Sequence, residues 1–367
     1  MKRYFNTSGP LDAAEHYLLD PLQRWDLSAV LTLIEQKKYF LVHAPRQTGK
    51  TTCLQAFARY LNKEGKVRCI YLSVQQGQAA RQDVDRGIRV VLTQLATAAL
   101  GQLQDDFVAQ RWKDALAYMG GENALLYILN QWCEHSKTPL VLLIDEIDAL
   151  VGNTLICVLH QLRTGYCSRT LAPFPQSIVL CGMRHLCDYR MELGEEGKVV
   201  FAESSPFNIN SKSLRLRDFS VDDIQALYIQ HTQETKQPFA AGVHQRVFEL
   251  TQGQPWLVNA LAYEACFENP AGRDRSKTIT VADIDAAKER LIQRRETHLH
   301  QLMAKLKQKR VHRVIESMMG VPNLHPKDED FDYVTDLGLI RRDESNSIVI
   351  ANPKLTSPQL PMDLRSK

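Results

Sequence analysis

The segment Ala44-Pro45-Arg46-Gln47-Thr48-Gly49-Lys50-Thr51 follows the spacing Gly-x-x-x-x-Gly-Lys-Ser/Thr, with alanine at the first place. Such a loop works by curling successive backbone N–H groups around an anion while a helix behind it aims its positive end at the same point. A strand must therefore lead in and a helix must lead out. Lys38-Tyr39-Phe40-Leu41-Val42-His43 is a short apolar, strand-forming run, and residues 50–62 have helical spacing. Average residue frequencies give such a match, with Gly or Ala first, in roughly 3% of chains of this length. The strand-to-helix setting narrows that further. Gly49 lets the backbone approach closely, Lys50 is expected to reach the β- and γ-phosphates, and the Thr51 hydroxyl is expected to ligate Mg²⁺. Ala44 is harmless at negative φ and strained at positive φ.

The surrounding pattern extends the loop into a fold class. Helical stretches at 27–36, 82–101, 122–134 and 154–164 are interleaved with apolar runs at 67–72, 140–144 and 177–181. Strands that are nearly continuous apolar runs, alternating with helices, indicate a parallel sheet covered on both faces. From about 220 to 320 the pattern is almost entirely helical. Ser220 with Asp223 and Thr280 with Asp283 have the spacing of capping boxes, and Pro255 after Gly253 suits a first helical turn. A helix over 330–337 is expected to end at Gly338, and 339–342 and 347–350 flank a turn at 343–346. The expected class is α/β: a P-loop NTPase parallel sheet with helices on both faces, then an all-helical lid, then a C-terminal winged-helix domain. The expected divisions are an N-terminal strap at 1–25, the nucleotide domain at 26–205, the lid at 206–272 and the winged-helix-like domain at 273–367.

The second chemical signal is Leu140-Val141-Leu142-Leu143-Ile144-Asp145-Glu146. An apolar strand ending in two acids delivers both carboxyl groups to the carboxyl edge of the sheet, where open α/β folds bind ligands. Asp145 is expected to hold Mg²⁺ through water and Glu146 to polarise the attacking water. Asp148 reads as a helix cap without chemistry.

Net charge is only +3, but 286–313 holds nine basic residues against Glu289 and Glu296. These are Lys288, Arg290, Arg294, Arg295, Lys305, Lys307, Lys309, Arg310 and Arg313. That run can serve phosphate-backbone contact or form a solvated helix face. Eight cysteines without a C-x-x-C pair point to reduced thiols. The amino end lacks the apolar stretch of a signal peptide, and no run is long enough to cross a bilayer. The expected location is cytoplasmic, with no membrane partner.

Leu143-Ile144-Asp145-Glu146-Ile147-Asp148 resembles the acidic strand of archaeal and origin-recognition-type ATPases, and Gly253-Gln254-Pro255 resembles the lid motif of STAND ATPases. Together with Ser205-Pro206-Phe207-Asn208-Ile209, Gln230-His231-Thr232 and Gln254-Pro255-Trp256-Leu257-Val258-Asn259, the chain resembles a bacterial family of AAA-like P-loop ATPases over nearly its whole length. The resemblance implies ATP and Mg²⁺ as cofactors, with ADP as product and homo-oligomers as a common state. It carries the nucleotide contacts to Ala44, Pro45, Arg46, Gln47, Thr48, Gly49, Lys50, Thr51, Thr52 and Pro255. It makes Arg184 a sensor of the γ-phosphate, Arg163 or Arg169 an arginine finger toward a neighbour, and His16 and Tyr17 walls of the adenine pocket. Such proteins often continue into a restriction-endonuclease-like domain. The chain here ends at Lys367 after a proline-containing tail, so that domain's activity is not expected.

Two functional classes follow. One is an ATPase whose hydrolysis drives lid closure; the other is a weakly hydrolysing, nucleotide-gated scaffold that presents its C-terminal module to DNA or protein. Glu146 favours the first, since a pure binder has no use for a water-polarising acid. A small-molecule kinase also uses such a loop, but the lid and C-terminal module argue against one.

Overall fold

A computed structural model describes residues 3–9, 11–183, 210–294, 308–318, 326, 328–337, 339–342 and 348–350. Two compact units are distinguished. One comprises Pro21–Ala44 and Lys50–Leu216, the other Met1–Asp20, Pro45–Gly49 and Arg217–Lys367.

The first unit is built on a parallel sheet of five strands, β1 (Tyr39–His43), β2 (Arg68–Ser73), β3 (Leu140–Asp145), β4 (Ser177–Gly182) and β5 (Asn210–Arg215), in the order β2-β3-β4-β1-β5. Strands β1, β3 and β4 are buried at every position. Their side chains alternate between two cores with the period of two that a pleated strand imposes. Tyr39, Leu41, Leu142, Ile144, Ile178 and Leu180 join α3 (Val84–Leu103), α4 (Phe107–Met119), α5 (Ala124–His135) and α6 (Gly152–Ser168) on one face. Phe40, Val42, Val141, Leu143, Val179 and Cys181 join α1 (Leu27–Glu35) and α2 (Lys50–Glu64) on the other. Each fully buried Leu, Ile or Val contributes about 1.5–3 kcal/mol.

Two elements have no counterpart in the expected pattern. Helix α4 is one. The other is β5, Asn-Ser-Lys-Ser-Leu-Arg, which is polar; among the described residues it pairs with β1 at the sheet margin and has no second strand beside it. It also lies beyond the boundary expected at 205. At the opposite margin, β2 has its outward peptide groups met by side-chain amides. Asn62 Nδ2 donates to Cys69 O at 2.8 Å while Asn62 Oδ1 accepts from Cys69 N at 2.7 Å. Gln102 does the same for Tyr71, at 2.6 and 3.0 Å.

The second unit holds α7 (Val221–Thr235), α8 (Val243–Thr251), α9 (Pro255–Tyr263) and α10 (Val281–Gln293). Both capping boxes are formed, Ser220 with Asp223 and Thr280 with Asp283. Gly253 has φ +75°, and a Cβ there would lie 1.9 Å from Phe219 O, so only glycine fits. Ile284, Ala287 and Leu291 of α10 share one core with α7 and α9, so the lid boundary expected between 272 and 273 falls inside a continuous packing unit. Phe5 and Tyr17 of the amino-terminal segment are buried in the same core. Helices Lys309–Met318 and Asp328–Asp336 and the antiparallel strands Ile340–Arg342 and Ile348–Ile350 close around a small core of their own, including Val311, Val314, Tyr333 and Val334. Gly338 and the turn at 343–346 lie outside the described residues. No described helix is long and apolar enough to cross a membrane.

The helical unit contains a buried histidine whose tautomer is fixed by its neighbours. The Gln237 amide nitrogen donates to Gly272 O at 2.9 Å, and Arg275 Nη1 donates to Gln237 Oε1 at 2.7 Å. That oxygen therefore accepts from His231 Nε2 at 2.9 Å, leaving Nδ1 to accept from the Tyr17 hydroxyl at 3.3 Å. Burial pushes the imidazole from 6.5 down to about 4. Between those values the unfolded chain binds a proton that the folded chain refuses, so stability falls as pH drops through this window, by at most on the order of 3 kcal/mol. The gap in urea midpoint between wild type and His231→Gln should therefore shrink from pH 7 to pH 4.5. A gap that stays constant counts against this account.

Candidate functional site

Strand β1 ends at His43, and the loop that follows turns into α2 at Lys50. Gln47 at φ 60° and Gly49 at φ 83° make the turn. Ala44 is fully buried and is not among the residues of positive φ, so an L-residue in the first place of the motif is unstrained. Thr48 is 1% exposed and its Oγ1 donates to Pro45 O at 2.8 Å. Lys50 Nζ donates to Ala44 O at 2.7 Å, which folds the ammonium back over the loop. Thr52 follows half-buried in the first turn of α2.

The two motifs meet through one contact. Thr51 Oγ1 donates to Asp145 Oδ2 at 2.7 Å, although the residues are 94 apart in sequence. Asp145 is fully buried. Its Oδ1 accepts from Glu146 N at 2.9 Å, and its Oδ2 accepts a second bond from the Tyr71 hydroxyl at 3.1 Å. Burial, and then the charge of Asp145, push the Tyr71 phenol far up, so it stays a donor. Burial, and then the charge of Asp145, likewise raise the Cys181 thiol. Glu146 takes the left-handed conformation, φ 58° and ψ 38°, a backbone cost of order 1–3 kcal/mol that is found chiefly where a site needs it. Its Oε2 accepts from Ser73 Oγ at 2.6 Å. A hydroxyl and a carboxylate oxygen at hydrogen-bond distance form a hard-oxygen pair of the kind Mg²⁺ takes, since that ion keeps most of its waters and accepts few protein ligands.

Lys50, Thr51, Asp145 and Glu146 thus lie at one edge of the sheet. Asp148 does not cap α6; it sits in a single helical turn, Ile147–Ala149, and Val151 holds the cap position. Arg169 lies at the far edge, where its Nη1 donates to Lys37 O at 2.7 Å and its guanidinium covers the Tyr166 ring at 4.1 Å. Arg163 is half-buried on α6. Arg184 lies outside the described residues. Pro255 occupies the first turn of α9 and is buried. Tyr17 has no exposed surface and His16 only 5%, with His16 Nδ1 accepting from Asp12 N at 2.9 Å. Both are packed residues rather than walls of an open base pocket.

Sequence patterns alone missed Tyr71 and Ser73. Both follow Cys69 at intervals of two on β2, and Ser73 pairs in register with Asp145. Their relevance depends on β2 lying beside β3, which no local pattern announces.

Five described residues of the basic run make ion pairs. Lys288 pairs with Glu289 at 2.7 Å, Arg290 with Glu264 at 2.6 Å, and Arg294 with Glu264 at 2.8 Å. Arg310 pairs with Asp330, and Arg313 approaches the same carboxylate at 3.7 Å. Arg295, Lys305 and Lys307 lie outside the described residues.

A family model described as an AAA-like domain matches residues 24–352. Among solved structures, the Walker-type ATPase Paby2304 of Pyrococcus abyssi is 15% identical with a TM-score of 0.59, and the match covers 99% of each chain. The Thermotoga maritima RuvB Holliday junction branch migration motor is 13% identical with a TM-score of 0.44, over 94% of this chain and 96% of that one. The Aeropyrum pernix Orc1 protein in complex with DNA is 14% identical with a TM-score of 0.46, over 92% and 91%. At 15% identity the first likeness is one of fold alone, and the other two add no weight to it. No curated protein sequence matches the chain at a significant level.

Proposed function

This chain belongs to the AAA-like domain family, and on that premise we propose that it is a Mg²⁺-dependent ATPase acting as a nucleotide-driven conformational switch. The observation that carries the reading is the Thr51–Asp145 hydrogen bond, which joins the phosphate loop to the acidic strand.

In this reading ATP lays its phosphates in the loop from Ala44 to Thr52, and the Lys50 ammonium exchanges Ala44 O for β- and γ-phosphate oxygens. Thr51 keeps its proton on Asp145, which leaves its oxygen lone pairs for the metal. Thr51 and Asp145 would hold Mg²⁺, Asp145 through water, and the ion would neutralise phosphate charge when bound. Glu146, released from Ser73, accepts a hydrogen bond from the attacking water and polarises it. Pro255 and Arg184 are proposed to follow the state of the nucleotide from the helical unit and from the end of β4. Homo-oligomers, and weak nucleic-acid contact through the C-terminal module, are proposed as consequences of the switch. Among the described residues, ion pairs with Glu264 and Asp330 engage Arg290, Arg294 and Arg310, which would compete with that contact.

The test is phosphate release from purified protein with Mg²⁺ and ATP, with and without DNA at two salt concentrations. Turnover that requires Mg²⁺ supports the enzyme. Tight ATP binding with no turnover under any condition favours the gated scaffold instead.

A further inference from the structure

Asp145 is supplied with more donors than a carboxylate that merely meets a metal requires. Thr51 and Tyr71 both donate to Oδ2, at 2.7 and 3.1 Å, and the Glu146 amide donates to Oδ1 at 2.9 Å. A carboxylate offers about four acceptor positions. Three places are therefore taken, and one remains on Oδ1.

We propose that Tyr71 is a positioning residue for the metal-holding carboxylate: its hydroxyl fills the second acceptor place on Oδ2 and so leaves Asp145 a single acceptor place, on Oδ1, to offer toward the metal. The proposal rests on the ATPase reading above. Thr51 is directed by the same oxygen, because a proton pinned on Oδ2 turns the lone pairs of its hydroxyl outward. The phenol is itself set from both sides of its strand. Tyr71 pairs with Leu143 of β3 on one side, and the Gln102 amide brackets its peptide N–H and C=O on the other. Cys69, Tyr71 and Ser73 share one face of β2, so the strand that presents the phenol to Asp145 also presents Ser73 to Glu146.

Tyr71→Phe keeps the ring and removes only the donor. ATP binding is measured by calorimetry across a Mg²⁺ titration and again with chelator present. The Mg²⁺ concentration for half-maximal enhancement of binding should rise about tenfold, the scale on which outer partners of a ligand affect metal affinity. Affinity for metal-free ATP should stay at the wild-type value. An unchanged Mg²⁺ titration overturns the proposal, and so does an equal loss with and without metal, which marks a structural role only. Should Tyr71→Phe fail to fold, Gln102→Ala, which frees the Tyr71 peptide from its exposed side, should move the Mg²⁺ requirement in the same direction; an unmoved requirement overturns the proposal. A wild-type protein whose ATP binding ignores Mg²⁺ defeats the ATPase reading itself, and this result differs from a Mg²⁺-responsive wild type with an indifferent Tyr71→Phe.

Discussion

Glu146→Gln should bind ATP and Mg²⁺ at least as tightly as wild type and turn over at least about a hundredfold more slowly. Positioned general-base action is worth about 10²–10⁴ in rate, and the amide keeps the shape of the side chain while losing its basicity. The bond from Ser73 at 2.6 Å can persist to the amide oxygen, so the resting geometry should hardly change. Asp145→Asn should fail differently. It sits fully buried among donors, and an amide in its place turns one acceptor into a donor facing Thr51, Tyr71 or the Glu146 N–H. Mg²⁺-dependent binding should therefore weaken before chemistry is reached. Nucleotide binding and phosphate release on the three proteins separate these cases. Equal, near-zero turnover in wild type and Glu146→Gln would leave the scaffold reading in possession.

Lys50→Ala should weaken ATP binding by at least about a hundredfold, since hydrogen bonds from a cation to phosphate are each worth about 1.5–3 kcal/mol. The fold should survive. Lys50 is half-buried in the first turn of α2, where alanine is a good helix former, and water can take the place of the ammonium on Ala44 O. Calorimetry gives the affinity and a thermal melt gives the fold. Wild-type affinity in a folded Lys50→Ala protein would remove the phosphate loop from the proposed site.

What was legible from sequence follows a physical rule. Strands β1, β3 and β4 are covered on both faces, so each reads as an unbroken apolar run; β5 is a margin strand with polar residues, and its pattern says nothing. Lys50, Thr51, Asp145 and Glu146 were legible because loop and strand-end chemistry constrain residue type locally. Tyr71 and Ser73 were not, because their bonds to Asp145 and Glu146 are made across a strand pairing, and pairing order is a property of the whole sheet. Tyr17 misled for the same reason in reverse. Its place upstream of the loop suggested a base pocket, while packing put it wholly inside the helical core beside His231. The basic run likewise shows its charge in sequence but not its partners: Glu264 and Asp330, which pair with Arg290, Arg294 and Arg310, lie outside it.

The amides at the β2 margin bear on what happens when many copies of this chain are crowded together. A free strand edge templates growth, because an incoming strand gains hydrogen bonds that water had been making. Here Asn62 and Gln102 already make those bonds with Cys69 and Tyr71. An invading strand would have to break four bonds to form equivalent ones, and so gains little. At the other margin Lys212 and Arg215 on β5 set like charges against any second copy of that strand. Strand addition at the β2 margin is thereby disfavoured, and copies of this protein that meet there would do so through side-chain surfaces, where contact can be made and released.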